Sequence, residues 1–175
     1  MSLLEIQDLG IRFGGLQVLS GIAFNIEERE ILGVIGPNGA GKTTLFNLIT
    51  GIYKPTAGTI RFEGETISGL SSDLITKRGI NRTFQNVRLF GNMTALENVL
   101  VGMQNKIRYP LLSSAFRTKA VRETEQTVRE KGMELLRLMG LEDHWSVRAS
   151  NMSYGNQRRL ELARALANEP KLLLL

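Results

Sequence analysis

The sequence predicts an α/β fold, and three features of its first half indicate it. A short apolar run over residues 31–35 is typical of a strand that is buried on both faces of a sheet. A glycine-rich segment follows this run directly, and residues 44–52 then place apolar side chains at helical spacing. Strict alternation over residues 59–63 predicts a half-buried strand. The glycine-rich segment should therefore lie between a buried strand and a helix.

The remaining elements predict an N-terminal antiparallel β subdomain and a helical subdomain. A turn at Gly14 and Gly15 joins the first two strands, and Thr94 with Glu97 forms a capping box at the start of a helix. The predicted strands cover residues 3–9, 18–26, 80–84 and 172–175, and the predicted helices cover 94–103, 121–139 (ended by Gly140) and 153–167, with an irregular insertion at 106–119.

Composition limits the function classes. The chain has 175 residues, 42% of them apolar and 22% charged, which suits one soluble globular domain. Its net charge of +5 comes from scattered basic residues, so a solvated surface is favoured over a nucleic-acid-binding face. The absence of cysteine excludes disulfides and thiol chemistry. Because no apolar run approaches the roughly 18 residues that cross a bilayer, we expect a cytoplasmic protein that meets membranes only through partners.

Residues 36–43 match the phosphate-binding pattern G-x-x-x-x-G-K-T. Glycines let several backbone N–H groups point into one anion-sized hollow, and the following helix adds the partial positive charge of its N-terminus. Lys42 is predicted to reach the β- and γ-phosphates, and the Thr43 hydroxyl to coordinate Mg²⁺. The pattern alone leaves ATPases, GTPases and small-molecule kinases open. The predicted nucleotide-binding residues here are Gly36, Pro37, Asn38, Gly39, Ala40, Gly41, Lys42, Thr43 and Thr44.

Residues 152–157, Met-Ser-Tyr-Gly-Asn-Gln, open a basic helix. This segment resembles the L-S-G-G-Q fingerprint of ATP-binding cassette proteins, with Met152 in place of Leu and Tyr154 in place of the first Gly. Ser153 suits a helix N-cap. The resemblance implies a head-to-tail dimer in which Ser153, Gly155 and Gln157 contact ATP that is held by the phosphate loop of a second subunit.

The resemblance implies two further site residues. Gln85 stands where the family has a glutamine that reaches Mg²⁺ or the attacking water, so Lys42 and Gln85 are the predicted catalytic residues and Thr43 and Gln85 the predicted metal ligands. Phe13 stands where the family stacks adenine on an aromatic ring. Residues 82–96, with Phe-Gln-Asn-Val-Arg-Leu-Phe, are similar to the ATP-binding subunits of branched-chain amino acid importers.

This branch implies a function, a location and partners. The chain should be a single cassette domain with a phosphate-loop core of the P-loop NTPase type. It should consist of a β-rich core over 1–85, a helical subdomain over about 86–152, and the signature helix with the start of a core strand over 153–175. It should use ATP and Mg²⁺ to drive uptake of branched-chain amino acids or related small polar solutes. The implied partners are a second ATP-binding subunit and transmembrane permease subunits, at the inner face of the membrane, with no nucleic acid.

In the family the last apolar strand continues into Asp-Glu-Pro, whose carboxylates serve the metal and the attacking water. These residues and the later core strands are not among the 175. We therefore expect an incomplete core that binds nucleotide but lacks the carboxylate that activates water. Two alternatives stay open: an inactive fragment, and a DNA-associated ATPase of the same superfamily, which the lack of cysteine and of a coiled-coil insertion disfavours.

Overall fold

The computed structural model describes residues 2–83, 89–103 and 119–175, with only the backbone described over 119–123. The chain forms two compact units, Met1–Arg78 and Gly79–Leu175. Gln85 and residues 106–118 of the predicted insertion lie outside the described residues. The finer subdomain boundaries near residues 85 and 152 stay predictions.

The first unit contains a four-stranded antiparallel sheet with the strand order β2-β1-β3-β4. The turn at Gly14 and Gly15 joins β1 to β2, as predicted, and Gly14 has a φ of 57° that suits glycine. This sheet confirms the predicted N-terminal antiparallel β subdomain. Its strands are β1 (Ser2–Phe13), β2 (Leu16–Glu27), β3 (Ala57–Phe62) and β4 (Glu65–Thr66).

Two helices complete the first unit: α1 (Lys42–Ile49) and α2 (Ser72–Lys77). Helix α1 begins two residues before the predicted start because Gly41 already serves as its N-cap. It buries Leu45, Leu48 and Ile49 on one face, as their spacing predicted. Contacts between α1 and β2 fix the position of the helix relative to the sheet.

The predicted strand at residues 31–35 is wrong. These residues have no regular secondary structure, and Ile31 and Ile35 are 98% and 94% exposed. Leu32 is also exposed. A strand that is buried on both faces needs a hydrogen-bonded neighbour on each edge. Within the described part of the first unit no strand pairs with this segment, so its apolar pattern has no sheet to enter.

The second unit contains a two-stranded parallel sheet of β5 (Ile80–Arg82) and β6 (Leu172–Leu174). Ile80 lies opposite Leu172, and the Thr83 N–H extends the pairing to the Leu174 carbonyl at 2.9 Å. Because the strands are parallel, their carboxyl ends meet at the same edge of the sheet. The strand that leads towards Gln85 therefore ends beside the last residues of the chain.

Three helices pack around one hydrophobic core in this unit. The capping box at Thr94 and Glu97 is present, and Gly140 has a φ of +65° after the long helix, so both predicted helix boundaries are confirmed. The helices are α3 (Ala95–Gly102), α4 (Lys119–Leu138) and α5 (Tyr154–Leu166), with 3₁₀ turns at Glu142–His144 and Ala149–Asn151. The core consists of Ala95, Leu96, Val99, Met103, Leu136, Leu141, Ala149, Met152, Leu160, Ala163 and Ala167.

Candidate nucleotide-binding site

The predicted phosphate loop is a tight turn that runs directly into helix α1. Its Ala40 N–H donates to the Pro37 carbonyl at 3.2 Å, and the Leu45 N–H donates to the Gly41 carbonyl at 2.8 Å. The second bond is the first of the helix, so the loop ends where the helical N–H groups begin. The first turn of α1 contains no acidic residue that would occupy this positive end.

Gly41 is required at the junction for two reasons. Its φ is 87° and its ψ is 7°, a left-handed conformation that side chains other than glycine rarely adopt. A Cβ at this position would also lie 2.6 Å from Leu19 Cδ2, on strand β2. Because Leu19 is buried, β2 forms a wall against the loop, and only a residue without a side chain fits between them.

Lys42 extends back along the loop. Its ammonium donates to the carbonyls of Gly36 and Pro37 at 2.6 and 2.8 Å. The structure thus brings together Gly36, Pro37 and Lys42, which the sequence pattern assigned to one site. Thr43 is exposed and Thr44 is half-buried, both in the first turn of α1.

Phe13 lies at the end of β1, next to the hairpin turn. It is 43% exposed, and its ring forms an edge-to-face pair with the ring of Tyr53, with centroids 5.1 Å apart and planes at 75°. Sequence reasoning missed Tyr53, because 40 residues separate the two rings along the chain and no local pattern links them. This edge-to-face pair fixes the orientation of Phe13 and leaves part of its ring open to solvent.

In the second unit, Ser153 is the N-cap of α5, as predicted. Its backbone is extended, and its hydroxyl accepts a hydrogen bond from the Asn156 N–H at 3.3 Å. Gly155 follows in the first turn, and a Cβ built there would meet nothing within 4 Å. Gln157 turns inward instead: its amide donates to the carbonyls of Ala149 and Met152 at 3.0 and 3.2 Å.

The ABC transporter family model matches residues 19–175, which include both the phosphate loop and the signature turn. The chain belongs to the ABC transporter family. The family match confirms the resemblance that the two motifs indicated.

Several curated relatives match the chain over nearly its whole length. It is 44% identical over 173 residues to the high-affinity branched-chain amino acid transport ATP-binding protein BraF of Pseudomonas aeruginosa, covering 99% of this chain and 68% of the relative. It is 42% identical to LivG of Escherichia coli K12, with the same coverage. A probable LivG of Archaeoglobus fulgidus is 36% identical, with 100% of this chain and 67% of the relative covered.

Solved cassettes have the same fold. The ADP conformation of MJ1267, an ATP-binding cassette of an ABC transporter, superposes with a TM-score of 0.82 at 32% identity, covering 99% of this chain and 67% of that one. The dimeric post-hydrolysis structure of the cassette MJ0796, bound to ADP and Pi, gives a TM-score of 0.77 at 28% identity, covering 97% and 72%. These neighbours confirm the predicted α/β cassette fold.

Tyr154, one of the two departures from the family fingerprint, belongs to a polar cluster on α5. The Arg158 guanidinium donates to the Tyr154 hydroxyl at 3.1 Å and to the Glu161 carboxylate at 3.0 Å. The hydrogen bond with Tyr154 is the main reason that the pKa of Arg158 is raised. Glu161 is only 3% exposed, so Arg158 has a buried partner that sequence reasoning did not identify. The i, i+3 spacing of Arg158 and Glu161 was the available signal.

No helix within residues 2–83, 89–103 and 119–175 is both long and apolar enough to cross a bilayer.

Proposed function

We propose that this chain is the ATP-binding subunit of an ABC importer that takes up branched-chain amino acids or related small polar solutes. The observation that carries the proposal is the phosphate loop, which closes on the N-terminus of α1 with Lys42 across its carbonyls. The solute follows from relatives, named as branched-chain amino acid transport ATP-binding proteins, that are 42–44% identical over nearly the whole chain.

The residues of the loop fit ATP with Mg²⁺. An ammonium, the open N-terminus of a helix and an exposed hydroxyl converge on one short segment, and phosphate oxygens with a divalent cation match this donor set. Mg²⁺, when bound, would neutralise part of the phosphate charge. Lys42 would bind the β- and γ-phosphates, Thr43 would hold the metal, and Phe13 would stack on the adenine.

A second copy or a related subunit would complete the site. The proposal assigns Ser153 and Gly155 to the γ-phosphate of ATP bound by the partner's phosphate loop, with Gln157 beside them. Gly155 supports this, because glycine in a helix costs up to about 1 kcal/mol relative to alanine and a Cβ there would meet nothing within 4 Å in the described residues. Its small size suits the close approach of a second subunit.

We further propose that this chain binds ATP through the phosphate loop at residues 36–43. Permease subunits would hold the protein at the inner face of the membrane. Uptake of radiolabelled leucine into proteoliposomes that contain the chain and its permease subunits tests the solute. ATP-driven uptake of a polyamine instead of leucine would overturn that assignment.

Titration with a fluorescent ATP analogue and Mg²⁺ tests nucleotide binding. Lys42→Ala should weaken binding by about tenfold to a hundredfold, since a charge-assisted hydrogen bond is lost. Lys77→Ala, an exposed lysine of α2 paired with Asp73, is the matched control and should bind as the unaltered chain does. Equal affinity in both variants would overturn the proposed role of the loop.

Sedimentation velocity with ATP and Mg²⁺ tests the second subunit. Gly155→Ala should leave folding intact, because the added methyl group meets open space, yet it should weaken ATP-driven pairing. Unchanged pairing in this variant would remove the signature turn from the proposed interface.

A further inference from the structure

Asn98 is a fully buried polar residue that sequence analysis did not single out. It lies on α3 with 0% exposure, and every hydrogen-bonding group of its amide is used. Its oxygen accepts from the Phe90 N–H at 2.9 Å, and its NH₂ group donates to the carbonyls of Phe90, Met93 and Thr94 at 3.1, 3.4 and 3.0 Å. A buried amide is costly unless it is satisfied in this way. The side chain therefore fixes the backbone of residues 90–94.

The backbone that Asn98 fixes is itself bonded to the segment before the signature turn. The Ser150 N–H donates to the Gly91 carbonyl at 3.1 Å, and the Ala149 N–H donates to the Met93 carbonyl at 2.9 Å. The 3₁₀ turn at Ala149–Asn151 leads within two residues to Ser153. A change in the path of residues 90–94 would therefore shift the residues that deliver Ser153.

A second amide supports the same turn from the other side. Gln157 donates to the carbonyls of Ala149 and Met152, and the Gln157 N–H donates to the Ser153 carbonyl at 2.9 Å. The turn is thus held between the loop at residues 90–94 and the first turns of α5. Its position depends on two amide side chains rather than on apolar packing alone.

We propose that Asn98 is a positioning residue that sets the signature turn, acting through residues 90–94 and 149–152. It does not touch nucleotide; it determines where Ser153 and Gly155 lie when a partner subunit presents ATP. The inference about the turn stands on hydrogen bonds within this chain, whereas its consequence for pairing rests on the proposed function.

Hydrogen exchange of the chain without nucleotide tests whether Asn98 holds the signature turn in place. Asn98→Asp keeps the shape and the accepting oxygen but replaces the donating NH₂ group by an oxygen that faces three carbonyls. The amides of Ala149, Ser150 and Asn156 should then exchange at least about tenfold faster, the factor expected when one buried hydrogen bond is lost. The uncharged Asn98→Ser variant keeps one donor, so its exchange rates should lie between those of the unaltered chain and of Asn98→Asp. If the aspartate variant does not fold, the exchange rates of the serine variant test the role of Asn98.

Asn81→Asp is the matched control. Its amide donates to the Ala165 carbonyl near the other end of α5 at 2.9 Å, so the variant removes one amide hydrogen bond from a half-buried position in the same unit. It should leave exchange at residues 149–156 unchanged. Equal acceleration in the Asn81 and Asn98 variants would show general loosening of the unit and would overturn the proposal.

Measurements of nucleotide affinity and of pairing then separate a positioning role of Asn98 from a general effect on stability. In Asn98→Ser, the affinity of the single chain for a fluorescent ATP analogue should be unchanged, while ATP-driven pairing in sedimentation should fall by about tenfold or more, the effect of losing hydrogen-bond support. If the unaltered chain does not pair, the proposed function fails, and the exchange data alone decide the role of Asn98. If the chain pairs and the serine variant pairs equally well with unchanged exchange, the role of Asn98 is refuted.

Discussion

Replacing Gly41 and Gly39 separately by alanine tests how the fold shapes the phosphate loop. Both residues have left-handed backbones, with φ of 87° and 84°. At Gly39 a Cβ would meet nothing within 4 Å, whereas at Gly41 it would lie 2.6 Å from Leu19 Cδ2 and 3.3 Å from its Cγ. The two variants therefore share the same backbone strain and differ only in the collision with a buried side chain.

The expected losses of stability follow from the backbone strain and from the collision with Leu19. The left-handed backbone should cost each variant about 1–2 kcal/mol of stability, and forcing a methyl group into a packed position should add about 1–3 kcal/mol for Gly41→Ala alone. Urea unfolding followed by far-ultraviolet circular dichroism, with hydrogen exchange of α1 and β2, measures the difference in the free energy of unfolding. Removing the obstacle with Leu19→Ala should abolish most of the difference between the two glycine variants.

Equal losses in Gly39→Ala and Gly41→Ala would contradict the reasoning, because the collision would then contribute nothing. A difference that persists in the Leu19→Ala background would contradict it as well, since the clash would have another source. The unaltered chain and Leu19→Ala alone complete the cycle and isolate the interaction between the loop and strand β2.

Three other predictions use the same chain. Tyr53→Ala should weaken binding of a fluorescent ATP analogue by about 0.5–1.5 kcal/mol, because it removes the ring that packs against Phe13, the residue proposed to stack on adenine; Tyr53→Phe should bind normally, and equal weakening would contradict the account. Leu136→Ala, in the core with 0% exposure, should cost about 2–5 kcal/mol in urea unfolding, whereas Leu138→Ala, at 69% exposure, should cost little. Hydrogen bonds from Thr94 lower the pKa of Glu97 below its usual 4.5, so its stabilisation should be present above pH 4.5 and lost as the pH falls through the lower folded value; Glu97→Gln should remove that dependence in acid unfolding curves.

Much of the fold could be predicted because its signals are local. The capping box at Thr94 with Glu97, the N-cap at Ser153 and the left-handed Gly140 each satisfy backbone groups within a few residues, so the sequence alone specifies them. The apolar face of α1 was also predictable, because helical spacing places its members together in any environment. The phosphate loop belongs to this class, since its shape follows from closely spaced glycines and the helix after them.

The features that were missed depend on residues far apart along the chain. Tyr53 meets Phe13, and Asn98 binds a loop that in turn binds Ala149. No periodicity in the sequence predicts such contacts, because each is formed only when separate elements pack together. The burial of Glu161 beside Arg158 likewise required the neighbouring helices to exclude water.

The sequence by itself determined that this chain has a phosphate-loop motif, a capped signature helix and an α/β cassette architecture. Tertiary structure alone decided how β2 confines Gly41, which ring orients Phe13 and which buried amide sets the signature turn. It also decided that residues 31–35, although apolar enough for a buried strand, stay exposed. The physical reason is that a motif consists of adjacent residues, whereas the burial of a side chain and the pairing of a strand depend on the neighbours that the whole fold supplies.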